Sequence, residues 1–174
     1  MVASIDKFLE VMPHSSIPPI IGHPTYSSIH EIHQNLSSNA ASIQSNLGCG
    51  TLGLIYLTLL PTVYATLSAT LFVPSHNPGA TATIPSIATT SQTSSIRQAH
   101  DESQEVFKEY DNTGKALKKL LISAVNDILL RTIRARYVGY ANITTLQILT
   151  HLYTTLQWRE LLRWYRGWEE EQRV

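Results

Sequence analysis

Apolar residues recur three or four apart along most of this chain, and no stretch alternates with the two-residue period of a strand. The pattern predicts an all-α fold. Thr25 is placed to cap a helix beginning at Tyr26, whose apolar face is Ile29, Ile32, Leu36, Ala40, Ile43 and Leu47. "GCG" at 48–50 is expected to end it, because glycine takes the left-handed C-cap conformation without steric cost. Ser94 or Ser95 caps a later helix with Ile96, Ala99, Ser103, Val106, Phe107 and Tyr110 facing inward. "DNTG" at 111–114 breaks it, since Asn, Asp and Gly favour turns.

The clearest amphipathic pattern runs from Lys115 to Tyr137. Leu117, Leu120, Leu121, Ala124, Val125, Ile128, Leu129 and Ile133 form the stripe, with Lys118, Lys119, Arg131 and Arg134 largely outside it. Beyond Gly139, Thr144 or Thr145 caps a last helix carrying Leu146, Leu149, Leu152, Tyr153 and Leu156. The buried set of this half is expected to include Leu117, Leu121, Val125, Leu149, Leu152 and Tyr153, which also serve as the core and assembly residues.

Three segments interrupt the periodicity. "MPHSSIPPIIGHPTY" holds four prolines and reads as part of an extended lead-in over residues 1–24. The apolar run from Leu52 to Val73 is long enough to span a bilayer, which takes about 20 residues. Pro61 divides it, four threonines and a serine dilute it, and no basic residue flanks it. We read two short buried helices meeting at Pro61; a single membrane span is the competing reading. Residues 74–94, rich in Pro, Ser, Thr, Gly and Ala, read as a linker. The expectation is therefore two small helical lobes, 25–73 and 95–156, joined by that linker and followed by a tail at 157–174.

Charge sharpens the division. No Asp, Glu, Lys or Arg occurs between Glu31 and Arg97, and Arg97 to Val174 carries 22 of the 26 formal charges. The net charge is zero, so no overall field points to nucleic acid or to an acidic partner. The single cysteine, Cys49, excludes an internal disulfide framework and a multi-cysteine zinc site. The opening "MVASIDKFLEVMPH" places charges where a signal peptide needs its apolar core, which argues for a cytoplasmic, soluble or particle-associated chain. Asn35-Leu-Ser and Asn142-Ile-Thr are then chance matches to the glycosylation pattern.

"LGLIYLTLLPTVYATLSATLFVPSHNPG", "EYDNTGKALKKLLISAVNDILL" and "GYANITTLQILTHLYTT" resemble the amino-terminal Gag-like region of copia-type retrotransposon polyproteins, above all the algal branch. The likeness runs from about Phe8 to Thr155 with spacing intact. It implies a helical shell protein that self-associates, packages RNA and has no catalytic centre. After Thr155 the resemblance ends: relatives continue with a polar, proline-containing segment, whereas here Trp158, Trp164 and Trp168 interleave with Arg159, Arg163 and Arg166. The zinc knuckle and the enzymes that follow Gag in such polyproteins have no counterpart here. We read the tail as reading-frame drift or a mis-joined exon at the end of a truncated element.

Candidate chemistry beyond that resemblance is sparse. Lys115, Lys118, Lys119, Arg131, Arg134 and Arg136 are the candidate RNA contacts, weighed against an ordinary solvated helix face. The Trp/Arg tail suits stacking on single-stranded bases or lying in a membrane interface. His30 and His33, with His23 nearby, share the spacing of a metal pair but lack further ligands, so surface histidines are the plainer reading. His151 reads as a helix-packing residue and not a base, and Cys49, with no adjacent cation, as an inert thiol. No phosphate loop, paired-carboxylate site or serine triad is present. Neither an enzyme nor a cofactor is expected, and the expected partners are further copies of the chain and RNA.

Overall fold

The computed structural model describes residues 5–48 and 50–157. Six helices and one 3-10 turn are laid out in order: α1 (Ile5–Val11), α2 (Tyr26–Ser42), the 3-10 turn (Ile55–Leu57), α3 (Pro61–Leu67), α4 (Thr90–Ala124), α5 (Asp127–Leu130) and α6, described over 145–157. Among the described residues no strand forms, and the fold is all-α; one isolated bridge joins Ala135 and Gly139.

Each main helix starts where a short polar side chain can satisfy its first free N–H groups. Thr25 caps α2: its Oγ1 accepts from the Ser28 N–H at 3.2 Å, and the Ser28 hydroxyl accepts from the Thr25 N–H at 2.9 Å. Thr144 and Gln147 form the same reciprocal pair at the start of α6. α4 begins at Thr90 under Thr89, earlier than the expected Ser94 or Ser95, because Thr89 and Gln92 make the reciprocal pair there.

Helix α4 is 35 residues long, about 52 Å at 1.5 Å per residue, and runs unbroken through the expected stop at 111–114. Asp111 pairs with Lys115 one turn on, Thr113 is buried, and the Gly114 carbonyl accepts from the Thr145 hydroxyl at 3.3 Å. Packing against α6 overrides the local turn preference. The amino-terminal part of α4 contributes less to the interior than its spacing suggests: Ile96, Val106, Phe107 and Tyr110 are half-buried, while Ala99 and Ser103 are exposed.

The amphipathic helix expected to continue to Tyr137 stops at Ala124. Val125 is extended, and Asn126 starts α5 by accepting the Ile128 N–H at 3.0 Å. An asparagine offers the backbone this alternative to helix continuation. The residue order of the stripe therefore shifts: Leu129 is buried, while Ile128 is 64% exposed.

The lead-in is not extended throughout. α1 packs on α4, and Met12 and Ile17 are buried. The side-chain amide of Asn39 binds both backbone groups of His14 at 2.8 Å, and the Ile20 N–H donates to the Ala124 carbonyl at 2.9 Å, satisfying a free group at the end of α4. The prolines all fall outside α1 and so break nothing.

Two separate lobes are not what the packing shows. Ile29, Ile32 and Leu36 of α2, Leu54, Tyr64 and Phe72, the Leu117–Leu121 face of α4, and Ile148, Leu149 and Leu152 of α6 belong to one buried cluster. The change in charge near residue 90 distinguishes surfaces, while the core is shared. Residues 74–89 are irregular, as a linker would be, but they are tied to α4 where the Gln104 amide donates to the Gly79 carbonyl at 2.8 Å.

The apolar run from 52 to 73 folds into the 3-10 turn, α3 and irregular chain and not into the two buried helices expected: the 3-10 turn buries none of its residues and α3 buries Tyr64 alone. Pro61 occupies the first turn of α3, where its missing N–H is not needed. Among the described residues no helix is long and apolar enough to cross a membrane. Gly53 has φ +53°, and a Cβ there would collide with the Ala41 and Ile43 carbonyl oxygens. Only glycine lets the chain turn tightly enough for the Leu54 N–H to reach the Ala40 carbonyl at 2.9 Å.

Candidate functional site

α2, α3 and α6 enclose a groove of about 470 Å³. Its floor and walls come from His33, Thr58, Leu60, Val63, Leu149 and Tyr153, with Tyr26 and His30 at the mouth. No residue lining it carries a formal charge at neutral pH.

His33 fixes how the three walls meet. Its Nε2 lies 2.9 Å from the Thr58 carbonyl, which can only accept, so Nε2 carries the proton. Nδ1 then accepts from the Tyr153 hydroxyl at 3.1 Å. One imidazole thus links α2 to the chain just before α3 and to α6. Burial lowers its pKa below the ordinary value of 6.5, the bond to Thr58 opposing and the nearby His30 adding. Burial, with Tyr26 contributing, raises the pKa of Tyr153, so the phenol stays protonated as a donor. Around the mouth, Tyr26 stacks on His30 with centroids 5.9 Å apart and meets Tyr153 at 5.4 Å.

The threonine hydroxyls in the lining are already engaged within the chain. The Thr58 hydroxyl donates to the Ile55 carbonyl at 2.9 Å, Thr150 to Leu146 at 2.9 Å, and Thr154 to Thr150 at 2.8 Å. Apart from the exposed Tyr26, His30 and Gln157, what the groove presents is apolar side-chain and aromatic surface.

The six candidate RNA contacts do not form one stripe, because their helix ends at Ala124. Lys115, Lys118 and Lys119 lie on α4, while Arg131, Arg134 and Arg136 follow α5. Lys118 is turned inward against the chain: its ammonium donates to the carbonyls of Tyr140, Ala141 and Ile143 at 2.8, 2.9 and 2.9 Å. All three of its donors are thereby used, and it pins the 138–143 turn to α4. Burial lowers its pKa, Lys115 adding and Asp111 opposing. Lys115 pairs with Asp111, Lys119 with Asp6 at 3.3 Å and Arg134 with Asp127 at 3.7 Å. Arg131 and Arg136 are exposed, the latter over the Tyr137 ring at 5.5 Å.

Leu117, Leu121, Val125, Leu149 and Leu152 are all buried and hold the core. Of that set Leu149 and Tyr153 line the groove, Leu149 from within the core. His30 and His33 do not converge on a metal: His30 is exposed and bonds Gln34 at 3.2 Å, while both nitrogens of His33 are used internally. Among the described residues no group of three His, Cys, Asp or Glu is placed to hold a metal ion. The His151 Nε2–H donates to the Leu129 carbonyl at 2.9 Å, a packing role between α5 and α6. Cys49 and the Trp/Arg tail from Trp158 onward lie outside the described residues.

The groove was not visible in the sequence. It joins residues more than a hundred positions apart, and only the lack of charge in the 32–96 segment hinted at it. No protein-family model, no curated protein and no solved structure matches the chain.

Proposed function

We propose that this chain is a non-catalytic helical scaffold that associates with copies of itself, the role a Gag-like segment of a copia-type element would play. One observation carries the reading: Leu60, Val63, Leu67, Leu71 and Val73, all exposed, lie together in the segment that has no formal charge. A protein working alone buries its large contiguous apolar patches; one that assembles leaves them for its copies. An RNA-packaging role would fall to the exposed cations Lys115, Lys119, Arg131, Arg134 and Arg136.

Sedimentation velocity of the full chain over a range of concentrations, at low and high salt, tests the proposal. Oligomers that grow with concentration and persist in high salt are expected, since apolar burial is not screened by ions. A chain that stays monomeric, or whose oligomers dissolve as salt rises, would contradict it.

A further inference from the structure

We propose that the chain forms a two-fold symmetric dimer in which the Leu60–Val63–Leu67 ridge of one copy seats in the α2/α3/α6 groove of the other, and reciprocally. This rests on the self-association reading and names its surface. The three ridge residues stand three and four apart and are 49%, 43% and 53% exposed, whereas Tyr64 between them is 3% exposed and points into the core. α3 therefore has an outward apolar edge opposite the face that anchors it.

The ridge and the groove are adjacent, since Leu60 and Val63 also form one wall of the groove. A two-fold contact is self-complementary, and a ridge and groove on one face let a single rotation fill both.

The chemistry of the lining selects the occupant. A charged partner segment would lose its hydration and find no counter-charge among the groove residues. Deeper in the groove a polar small molecule would find the Thr58, Thr150 and Thr154 hydroxyls already donating within the chain. An apolar ridge strands nothing when it covers groups that already have partners. The exposed Tyr26 ring at the mouth, 59% accessible, supplies the kind of aromatic anchor on which interfaces concentrate their affinity.

The test is sedimentation equilibrium of the full-length wild type beside Val63→Asp, Leu67→Asp and Ile87→Asp. Both ridge positions are exposed, so a charge there is compatible with folding, and circular dichroism confirms it for each; if one variant misfolds, the other decides. Either ridge variant is expected to raise the dimer dissociation constant about tenfold or more. Ile87→Asp, at a 91% exposed apolar position outside the groove, is expected to leave it within about twofold. A wild type that dimerises while folded ridge variants dimerise equally well overturns the assigned surface and leaves self-association standing. A wild type that is monomeric up to its solubility limit overturns both.

Discussion

The Tyr153 hydroxyl donates to Nδ1 of His33 at 3.1 Å, across 120 positions of sequence, and the opposite ring nitrogen donates to the Thr58 carbonyl. That geometry requires a neutral imidazole, and its consequence for stability has a definite sign. Unfolded, the ring titrates near 6.5; folded, burial holds its pKa lower. Between the two values the unfolded chain binds more protons, so stability rises with pH across that window. The contribution is complete above about pH 6.5 and is lost as pH falls below it. Melting temperatures between pH 7.5 and pH 5 should therefore decline, and decline less in His33→Gln. Identical pH profiles for the two proteins would exclude His33 as the cause.

Lys118 is predicted to matter where Lys115 does not. Replacing Lys118 by Met leaves the Tyr140, Ala141 and Ile143 carbonyls without their shared donor and should cost about 1–3 kcal/mol in chemical denaturation. Lys115→Met removes an exposed pair within one helix and should cost about 0.5 kcal/mol or less. Equal losses would mean that the 138–143 turn does not depend on the ammonium.

Leu121 and Ile128 sit on the same stripe in the sequence and should behave oppositely. Leu121 is fully buried, and Leu121→Ala should cost about 2–5 kcal/mol. Ile128, displaced outward by the break at Val125 and Asn126, should tolerate Ala within about 0.5 kcal/mol. A large loss at Ile128 would restore the continuous helix.

Much of this fold is legible where local chemistry and packing agree. The Thr25 cap gives the start of α2, the break at Pro61 gives α3, and Thr144 gives the start of α6. But α2 stops at Ser42 with Ile43 already extended, six residues before the expected end at Gly48. The misreadings have physical causes. Gly114 signals a turn locally, but α6 supplies a hydroxyl to its carbonyl and the helix continues. Asn126 is a weak interruption in a strong stripe, yet its side chain captures the Ile128 N–H and starts a new helix. Lys118 looks solvent-facing because its acceptors lie 22 to 25 residues away in a turn that helical periodicity cannot place. The groove, built from three distant elements, left only the missing charges as a trace.

The irregular 74–89 segment should be the first site of proteolysis. It has no helix of its own and is held to α4 through Gln104. Brief digestion with a protease of broad specificity should cut near the exposed Ile87, and Gln104→Ala should quicken the cut. A first cut inside Lys115–Ala124 would mean that the core is misassigned.

The central claim is that the charge-free segment is a contact surface between copies, and hydrogen exchange measured across protein concentration tests it most directly. Raising the concentration a hundredfold should slow exchange at the amides of α3 and of the α6 residues lining the groove, with no change at residues 131–143. Exchange at α3 and α6 that is independent of concentration would contradict the claim.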